Sequence, residues 1–149
     1  MKIQVESPQQ DDVIAMLEQL DAYFGALYPA ESNHLMDIDA LARPDVRFLV
    51  ARDPGGQAIG CGAVVERGGY GEVKRMYVAP SARGQGVGAA LMERLERDAR
   101  AAGIALLRLE LGISQPEASG LYASRGFVSI GPFGDYQPDP LSLFMEKKL

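Results

Sequence analysis

Residues 73–89 read Val-Lys-Arg-Met-Tyr-Val-Ala-Pro-Ser-Ala-Arg-Gly-Gln-Gly-Val-Gly-Ala. The first half of this segment predicts a β-strand, and the second half predicts a glycine-rich turn that opens a helix. The backbone N–H groups of residues 84–89 would then converge at a helix N-terminus, where anions bind. Because the glycines carry no Cβ, a pyrophosphate can approach their backbone, and Arg83 adds a positive charge. The segment therefore predicts a site for a phosphate-bearing cofactor.

The same glycines also fit the dinucleotide pattern G-x-G-x-x-A, and Glu110 follows about twenty residues after residues 84–89. Three features weigh against this reading. The motif lies in the middle of the chain, Pro80 and Ser81 follow the strand, and no second βαβ unit is evident. A nucleotide-dependent oxidoreductase is thus an alternative that requires tight nicotinamide binding.

Composition and charge limit the class of protein. A chain of 149 residues with 47% hydrophobic content fits one domain, residues 1–149. A signal peptide, a membrane span and an internal disulfide are not expected, so we predict a cytoplasmic protein without membrane contact. The net charge of −5 disfavours a nucleic-acid partner, although Lys74, Arg75 and Arg83 could form a local basic groove. No metal site is predicted, and a homodimer stays open.

Hydrophobic spacing and turn residues predict the element order β, α, α, β, β, β, α, β, α, β, β. Ser7, Pro8 and Gln10 predict the start of the first helix. Glu93 with Arg97, and Glu96 with Arg100, are i,i+4 pairs expected on a solvent-facing helix surface. The predicted strands are 2–5, 48–52, 58–65, 105–111, 127–130 and 141–145, together with a central strand that follows the glycines at 68–71. The predicted helices are 8–27, 37–41 and 116–125, the last of which Gly126 ends. A further helix follows the glycine-rich turn and is capped by Gly103.

Two motifs in this order resemble the GNAT superfamily of acetyl-CoA-dependent N-acetyltransferases. Arg83-Gly84-Gln85-Gly86-Val87-Gly88 fits the superfamily's cofactor motif, an Arg or Gln, two residues, Gly, one residue, then Gly or Ala. Residues 115–127, Gln-Pro-Glu-Ala-Ser-Gly-Leu-Tyr-Ala-Ser-Arg-Gly-Phe, are similar to a second motif, with Gln115 where Asn is usual. The resemblance covers nearly the whole chain, and a longer amide at position 115 can still meet a pantetheine amide.

The resemblance implies an α/β (α+β) fold with a mixed, mostly antiparallel central sheet, helices on both faces and splayed strands at the cofactor site. It implies acetyl-CoA as the cofactor. The implied cofactor-binding residues are Met76, Val78, Arg83, Gly84, Gln85, Gly86, Val87, Gly88, Ala89 and Gln115.

Acyl transfer from a thioester to an amine requires a neutral amine, a polarised carbonyl and a proton for the departing thiolate. By resemblance, an N–H of Met76 or Val78, with Val78 favoured, polarises the carbonyl, and Tyr122 is the candidate acid. Glu72 is the candidate base, acting through a water. Ordinary core packing for Tyr122 and a solvated charge for Glu72 are the competing interpretations. Cys61 lies in an apolar strand and is interpreted as a buried structural thiol.

Glu31 and His34 follow a Tyr-Pro pair and are candidate residues for binding the acceptor, with a solvent-exposed or packing role as the alternative for His34. Residues 131–140 are a candidate second wall of the acceptor pocket, with a rigid connector as the alternative interpretation. The predicted function is direct acetyl transfer from acetyl-CoA to a primary amine of a small molecule or peptide. The alternative is a non-catalytic CoA-binding regulatory module.

Overall fold

The computed structural model describes residues 1–149, which form seven strands and four helices in the predicted order. The strands are β1 Lys2–Val5, β2 Val46–Arg52, β3 Ala58–Arg67, β4 Tyr70–Val78, β5 Leu106–Gly112, β6 Val128–Ile130 and β7 Ser142–Lys148. The helices are α1 Asp11–Leu27, α2 Ile38–Leu41, α3 Val87–Ala101 and α4 Pro116–Ser124, and short 3-10 turns lie at Ala30–Ser32 and Pro80–Ala82.

One sheet contains all seven strands, in the order β1-β2-β3-β4-β5-β7-β6. Only the β4–β5 pair is parallel, and the other five pairs are antiparallel. The predicted mixed, mostly antiparallel sheet is therefore confirmed. A doubly wound parallel sheet, which the dinucleotide pattern would require, is absent.

The central strands β4 and β5 separate soon after they begin. Gly71 pairs with Leu107 and Glu72 with Arg108, and no pair follows. Strand β5 instead stays paired with β7 along its whole length, from Leu106 to Gly112. The far halves of β4 and β5 thus border a gap in the middle of the sheet, which confirms the predicted splayed strands.

A β-bulge in β4 lies at this gap. Ala63 on β3 pairs with Lys74, but Cys61, two residues earlier, pairs with Tyr77, so β4 contains one extra residue. Arg75 takes φ 59°, the only positive φ among the non-glycine residues. The extra residue reverses the alternation of side chains, so Met76 returns to the same face as Val73.

Helices cover both faces of the sheet. Against one face, α1 and α2 bury Val13, Leu17, Leu20 and Leu41. Against the other, α3 buries Leu91, Met92 and Leu95 beside Leu107 and Leu109, and α4 joins them through Tyr122. Each fully buried aliphatic side chain contributes about 1.5–3 kcal/mol, so the two layers hold the sheet rigid around the gap.

Helix α1 begins at Asp11, three residues after the predicted start. The capping interpretation of Ser7 was wrong because the helix starts four residues later, so the bond that the Ser7 hydroxyl accepts from the Gln9 N–H belongs to a turn that precedes it. Gln10 is the N-cap residue, and its side chain donates to Glu6, which also binds Arg52. Tertiary contacts with this ion cluster therefore override the local helix signal.

The expected solvent-facing role of Glu96 was also wrong. The residue is 1% exposed and binds Arg125 Nε at 2.6 Å, Lys147 Nζ, and Arg100 at 3.9 Å. These contacts join α3 to the end of α4 and to β7. Glu93, one turn earlier, is exposed and pairs with no cation.

We expect Glu96→Ala to lower the free energy of unfolding by about 3 kcal/mol, because it removes the buried centre of this ion network and leaves the partly buried Arg125 and Lys147 without their counter-charge. Glu93→Ala, on the exposed face of the same helix, should change it by less than about 0.5 kcal/mol. Urea unfolding monitored by circular dichroism measures both. Equal stability losses in the two variants would contradict a structural role for Glu96.

Candidate functional site

The glycine loop after β4 is shaped by backbone conformations that suit glycine. Gly84 and Gly86 take φ 77° and 81°, and Gly86 is the N-cap of α3. A Cβ built on either residue meets no atom of the chain within 4 Å. The space beside them is therefore open to a ligand, next to the free N–H groups of the helix N-terminus.

A cleft of about 410 Å³ lies in front of this loop, and we call it the glycine-loop cleft. Helix α1 forms one wall and α4 the other. Its lining residues are Leu20, Tyr23, Phe24, Met76, Tyr77, Val78, Ala82, Arg83, Gly84, Gly86, Val87, Gly88, Ala89, Ser114, Gln115, Pro116, Glu117, Ala118, Leu121 and Tyr122. Nine of the ten predicted cofactor-binding residues are in this set. The exception is Gln85, whose amide donates to Ser81 O at 3.2 Å.

The bulge turns the backbone of Met76 and Val78 towards the gap. The Ala79 N–H donates to Ile59 O (2.8 Å), so residue 79 faces the β3 side. Because backbone polar groups alternate between the two edges of a strand, those of Val78 and Met76 face the side from which β5 has separated. Val78 O accordingly accepts from Arg83 Nε at 3.1 Å.

Arg83 lies between aromatic rings at the cleft. Its guanidinium carbon is 5.5 Å from the centre of the Tyr23 ring and 5.8 Å from that of Tyr77. The basic groove that the sequence allowed does not form, because Arg75 is buried on the α1 face against Asp21 and Lys74 lines the gap. Arg83 is thus the one cation of the three at the glycine loop.

Gln115 is fixed by a contact that the sequence did not indicate. Its Oε1 accepts from Gly112 N–H (3.2 Å) and from the Tyr28 hydroxyl (3.3 Å), and that hydroxyl accepts from Ser114 N–H (3.1 Å). The Tyr28 ring lies so close to Gly112 that a Cβ there would be 1.9 Å from Oη. The Gln115 amide NH₂ has no partner in the chain and remains free to donate into the cleft.

The gap between β4 and β5 contains a smaller cavity of about 100 Å³, the inner chamber. Tyr122 lines both the chamber and the glycine-loop cleft. It is 6% exposed, its hydroxyl has no hydrogen-bond partner in the chain, and desolvation raises its pKa above the ordinary value. The hydroxyl therefore stays protonated at neutral pH and can donate to an atom placed in the gap.

Glu72, the predicted base, is 3% exposed at the start of the gap. Arg67 donates to its Oε1 at 2.9 and 3.1 Å, and the Tyr136 hydroxyl donates to Oε2 at 2.5 Å. Lys74 Nζ is 3.8 Å from Oε2 and donates to Tyr136 Oη and to His34 O. Glu72 thus holds a polar network together, and that network occupies its oxygens.

Glu110 is a functional candidate that the sequence reasoning assigned only to the rejected dinucleotide pattern. It stands on β5 across the gap from Lys74 and lines the inner chamber. Burial raises the pKa of this carboxyl, and its one side-chain hydrogen bond is from Ser142 Oγ to Oε2 at 2.7 Å. The alternation along β5 offered a signal, because Arg108 and Glu110 share the face opposite the buried Leu107, Leu109 and Leu111.

A third cavity of about 580 Å³, the outer pocket, opens on the other side of the chamber and shares His34 with it. Glu31, the other predicted acceptor residue, lines this pocket. Residues 134–139 form its second wall, as expected for part of the 131–140 loop. The His34 and Tyr136 rings pack edge to face at 5.2 Å. The chamber thus lies between the outer pocket, with which it shares His34, and the glycine-loop cleft, with which it shares Tyr122.

Cys61 is fully buried, as the sequence indicated, and its thiol donates to Arg75 O at 3.3 Å. Desolvation raises the pKa of the thiol to about 12, so it is not a nucleophile at neutral pH. Cys61 also lines none of the cavities described above, so its burial disfavours a covalent acyl-enzyme at this residue. Separately, none of the helices has both the length and the apolar content needed to cross a bilayer.

Comparison with known proteins identifies the family that has this arrangement. Residues 44–129 match the family described as the acetyltransferase (GNAT) domain. The chain is 58% identical over 146 residues to an IAA acetyltransferase of Azospirillum brasilense, covering 97% of this chain and 95% of that protein.

Solved structures give the same result. A Klebsiella pneumoniae protein assigned to the acyl-CoA N-acyltransferases superposes with a TM-score of 0.84 at 40% identity, covering 99% of this chain and 97% of the other. The PaiA N-acetyltransferase of Thermoplasma acidophilum, crystallised with coenzyme A, shares the fold with a TM-score of 0.75 at 20% identity, covering 99% and 98% of the two chains.

Proposed function

Because this chain belongs to the GNAT family of acetyl-CoA-dependent N-acetyltransferases, we propose that residues 1–149 form one catalytic unit that acetylates a primary amine of a small molecule or peptide. The chain is an acyltransferase that uses acetyl-CoA. One observation carries the proposal: the inner chamber adjoins both the glycine-loop cleft, with which it shares Tyr122, and the outer pocket, with which it shares His34.

The proposed transfer uses groups from both sides of the gap. The acetyl carbonyl accepts from the backbone N–H of Val78 or Met76, and the amine nitrogen attacks the carbonyl carbon. Glu110 takes a proton from the amine, directly or through a water. When the C–S bond breaks, the sulfur leaves as a thiolate and receives a proton from Tyr122. Glu72 supports the site by holding Tyr136 and Lys74.

Glu110 suits the role of base better than Glu72. A base requires an oxygen that is free to meet the proton and a pKa near the working pH. Donors occupy both oxygens of Glu72, whereas Oε1 of Glu110 accepts no hydrogen bond from the chain. Burial raises the pKa of Glu110 above its ordinary value. The carboxylate is therefore a stronger base than an exposed glutamate.

The charge of the outer pocket supports a narrower class of acceptor. Four carboxylates and one guanidinium line it, and the guanidinium of Arg67 already binds Glu72. Glu31, Asp135 and Asp139 form no ion pair. The Leu141 N–H lowers the pKa of Asp139, which keeps it ionised. These groups favour an amine that carries a second positive charge.

A thiol-release assay with matched amines tests the proposed function. We expect diaminobutane to be used with a kcat/KM about 10-fold higher than butylamine, with the preference falling as salt is added. Asp135→Asn should reduce that preference, while Asp53→Asn, in the β2–β3 turn, should not. Acetyl-CoA binding without thiol release for any amine would instead favour the non-catalytic module, which the presence of Tyr122 and Glu110 in one chamber disfavours. Equal rates for the two amines would contradict the assigned acceptor class.

A pair of glycine variants tests the cofactor loop. Gly86 and Gly56 have nearly the same φ, 81° and 87°, and a Cβ on either meets no atom within 4 Å, but only Gly86 lines the cleft. We expect Gly86→Ala and Gly56→Ala each to lower the free energy of unfolding by about 1 kcal/mol. Only Gly86→Ala should weaken acetyl-CoA binding, by about 10-fold or more, because its methyl group takes the place of a phosphate oxygen. Calorimetric titration that gave unchanged affinity for folded Gly86→Ala would contradict the loop assignment.

A further inference from the structure

The backbone that faces the gap depends on the β4 bulge. Without the extra residue, Cys61 would pair with Met76 and not with Tyr77. The alternation along β4 would then turn the polar backbone of Met76 towards β3 and its side chain towards α1. The bulge thus determines which residues face the gap: it places the N–H groups of Met76 and Val78 there and keeps the Met76 side chain on the cleft side.

Three contacts hold the bulge at Arg75. The Arg75 carbonyl accepts from the Cys61 thiol at 3.3 Å. Its guanidinium donates to Met36 O at 2.8 Å and to the carboxylate of Asp21 on α1. The side chain is 3% exposed, so these bonds lie out of water on the Arg75 side. They offset the unfavourable positive φ of a non-glycine residue.

The same contacts fix the acceptor side of the site. The bulge places Lys74 and Arg75 on one face, where Lys74 donates to His34 O and Arg75 to Met36 O. The segment that carries His34 into the outer pocket is therefore held by two consecutive residues of β4. Movement of Arg75 would displace both the thioester-binding backbone and the segment that carries His34.

We infer that Arg75, held by Asp21, is a positioning residue. It orients the bulge backbone towards the thioester carbonyl and holds the segment that carries His34, which lines the outer pocket, beside that backbone. This inference rests on the proposed function for its kinetic consequence. It also makes a separate claim about binding, because acetyl-CoA contains the acetyl thioester carbonyl and CoA does not. The bulge backbone should therefore favour acetyl-CoA over CoA only while Arg75 holds it.

Four variants test the inference: Arg75→Met, Arg75→Lys, Asp21→Ala and the control Arg94→Met. Arg94 has the same kinds of partner, the carboxylate of Asp98 and the carbonyl of Ile3 (2.8 Å), but lies outside the three cavities. We expect Arg75→Met to lower kcat about 10²-fold, since a small misplacement of a donor has that effect. Arg75→Lys should recover part of the loss, because one ammonium cannot reproduce the planar fork.

The binding measurement separates positioning from general destabilisation. In calorimetric titrations, the affinity of Arg75→Met for CoA should be within about threefold of that of the wild-type protein. The variant should, however, lose the wild-type preference for acetyl-CoA over CoA. Arg94→Met should keep both kcat and the preference. If Arg75→Met does not fold, Asp21→Ala decides, because the Asp21 side chain is 48% exposed and its truncation should lower kcat about 10-fold.

A folded Arg75→Met or Asp21→Ala with unchanged kcat and unchanged acetyl-CoA preference would overturn the inference. The same holds if Arg94→Met produces equal losses. If the unchanged chain turns over no amine, the proposed function fails, but the ratio of acetyl-CoA to CoA affinity still tests Arg75 on its own.

Discussion

Glu110→Gln is expected to lower kcat/KM by about 10³-fold, because it removes the proposed acceptor of the amine proton. The amide keeps an acceptor for the Ser142 hydroxyl, which now donates to Oε2 at 2.7 Å. Steady-state thiol release at several pH values measures the effect. For the wild-type protein, kcat/KM should fall on the acidic side of the pH profile, at the raised pKa of Glu110. This decrease should be absent in the variant.

Stability separates this chemical role from a structural one. The folded-state pKa of Glu110 lies above its unfolded value, so the carboxyl favours folding when protonated and that contribution is lost as pH rises through the folded pKa. At neutral pH, Glu110→Gln removes a partly buried charge and should leave the chain as stable or more stable. Glu72→Gln is the comparison, and it should destabilise the fold, because Arg67 and Tyr136 lose an ionised partner. A larger rate loss in Glu72→Gln than in Glu110→Gln would return the base role to Glu72.

Tyr122→Phe is expected to lower kcat by roughly 10²-fold with little change in acetyl-CoA affinity. The ring packs beside Phe127 at 5.7 Å and keeps its contacts when the hydroxyl is removed. The loss should be partial because a CoA thiol, with a pKa near that of cysteine at about 8.5, leaves tolerably without protonation. Single-turnover kinetics isolate the chemical step.

Tyr28→Phe is the matched control for this hydroxyl. It also removes one phenol oxygen from the site, but that oxygen binds Ser114 N–H and Gln115, away from the departing sulfur. Its effect should fall on acetyl-CoA affinity more than on kcat. An unchanged chemical step in Tyr122→Phe would leave Tyr122 with a packing role.

Local sequence signals predicted the glycine loop and the element order because both depend on neighbouring residues. Gly86 requires a positive φ at the entrance to α3, and the apolar stripe of α3 follows directly. The position of Tyr122 at the cofactor cleft was available only through the resemblance to a family motif. Spacing alone does not show which cavity a helix faces.

Other features depend on partners far along the chain. Glu93 and Glu96 have the same i,i+4 pattern, but only Glu96 is covered by Lys147 and Arg125, which arrive from β7 and the end of α4. The role of Glu110 depends on the separation of β4 from β5, and the bulge at Arg75 depends on register with β3. Pairing between distant strands sets these features, so no window of local sequence contains them.

The most direct measurement is a crystal structure with a conjugate that links CoA to a diamine through an acetyl group at the sulfur. We expect the pyrophosphate at the N–H groups of residues 84–88 and the conjugate carbonyl at the backbone N–H of Val78 or Met76. The sulfur should lie within hydrogen-bond distance of the Tyr122 hydroxyl, and the amine end should reach Glu110 and the outer pocket. A conjugate that binds with its sulfur outside the gap between β4 and β5, or with its amine end away from the outer pocket, would contradict direct transfer at this site.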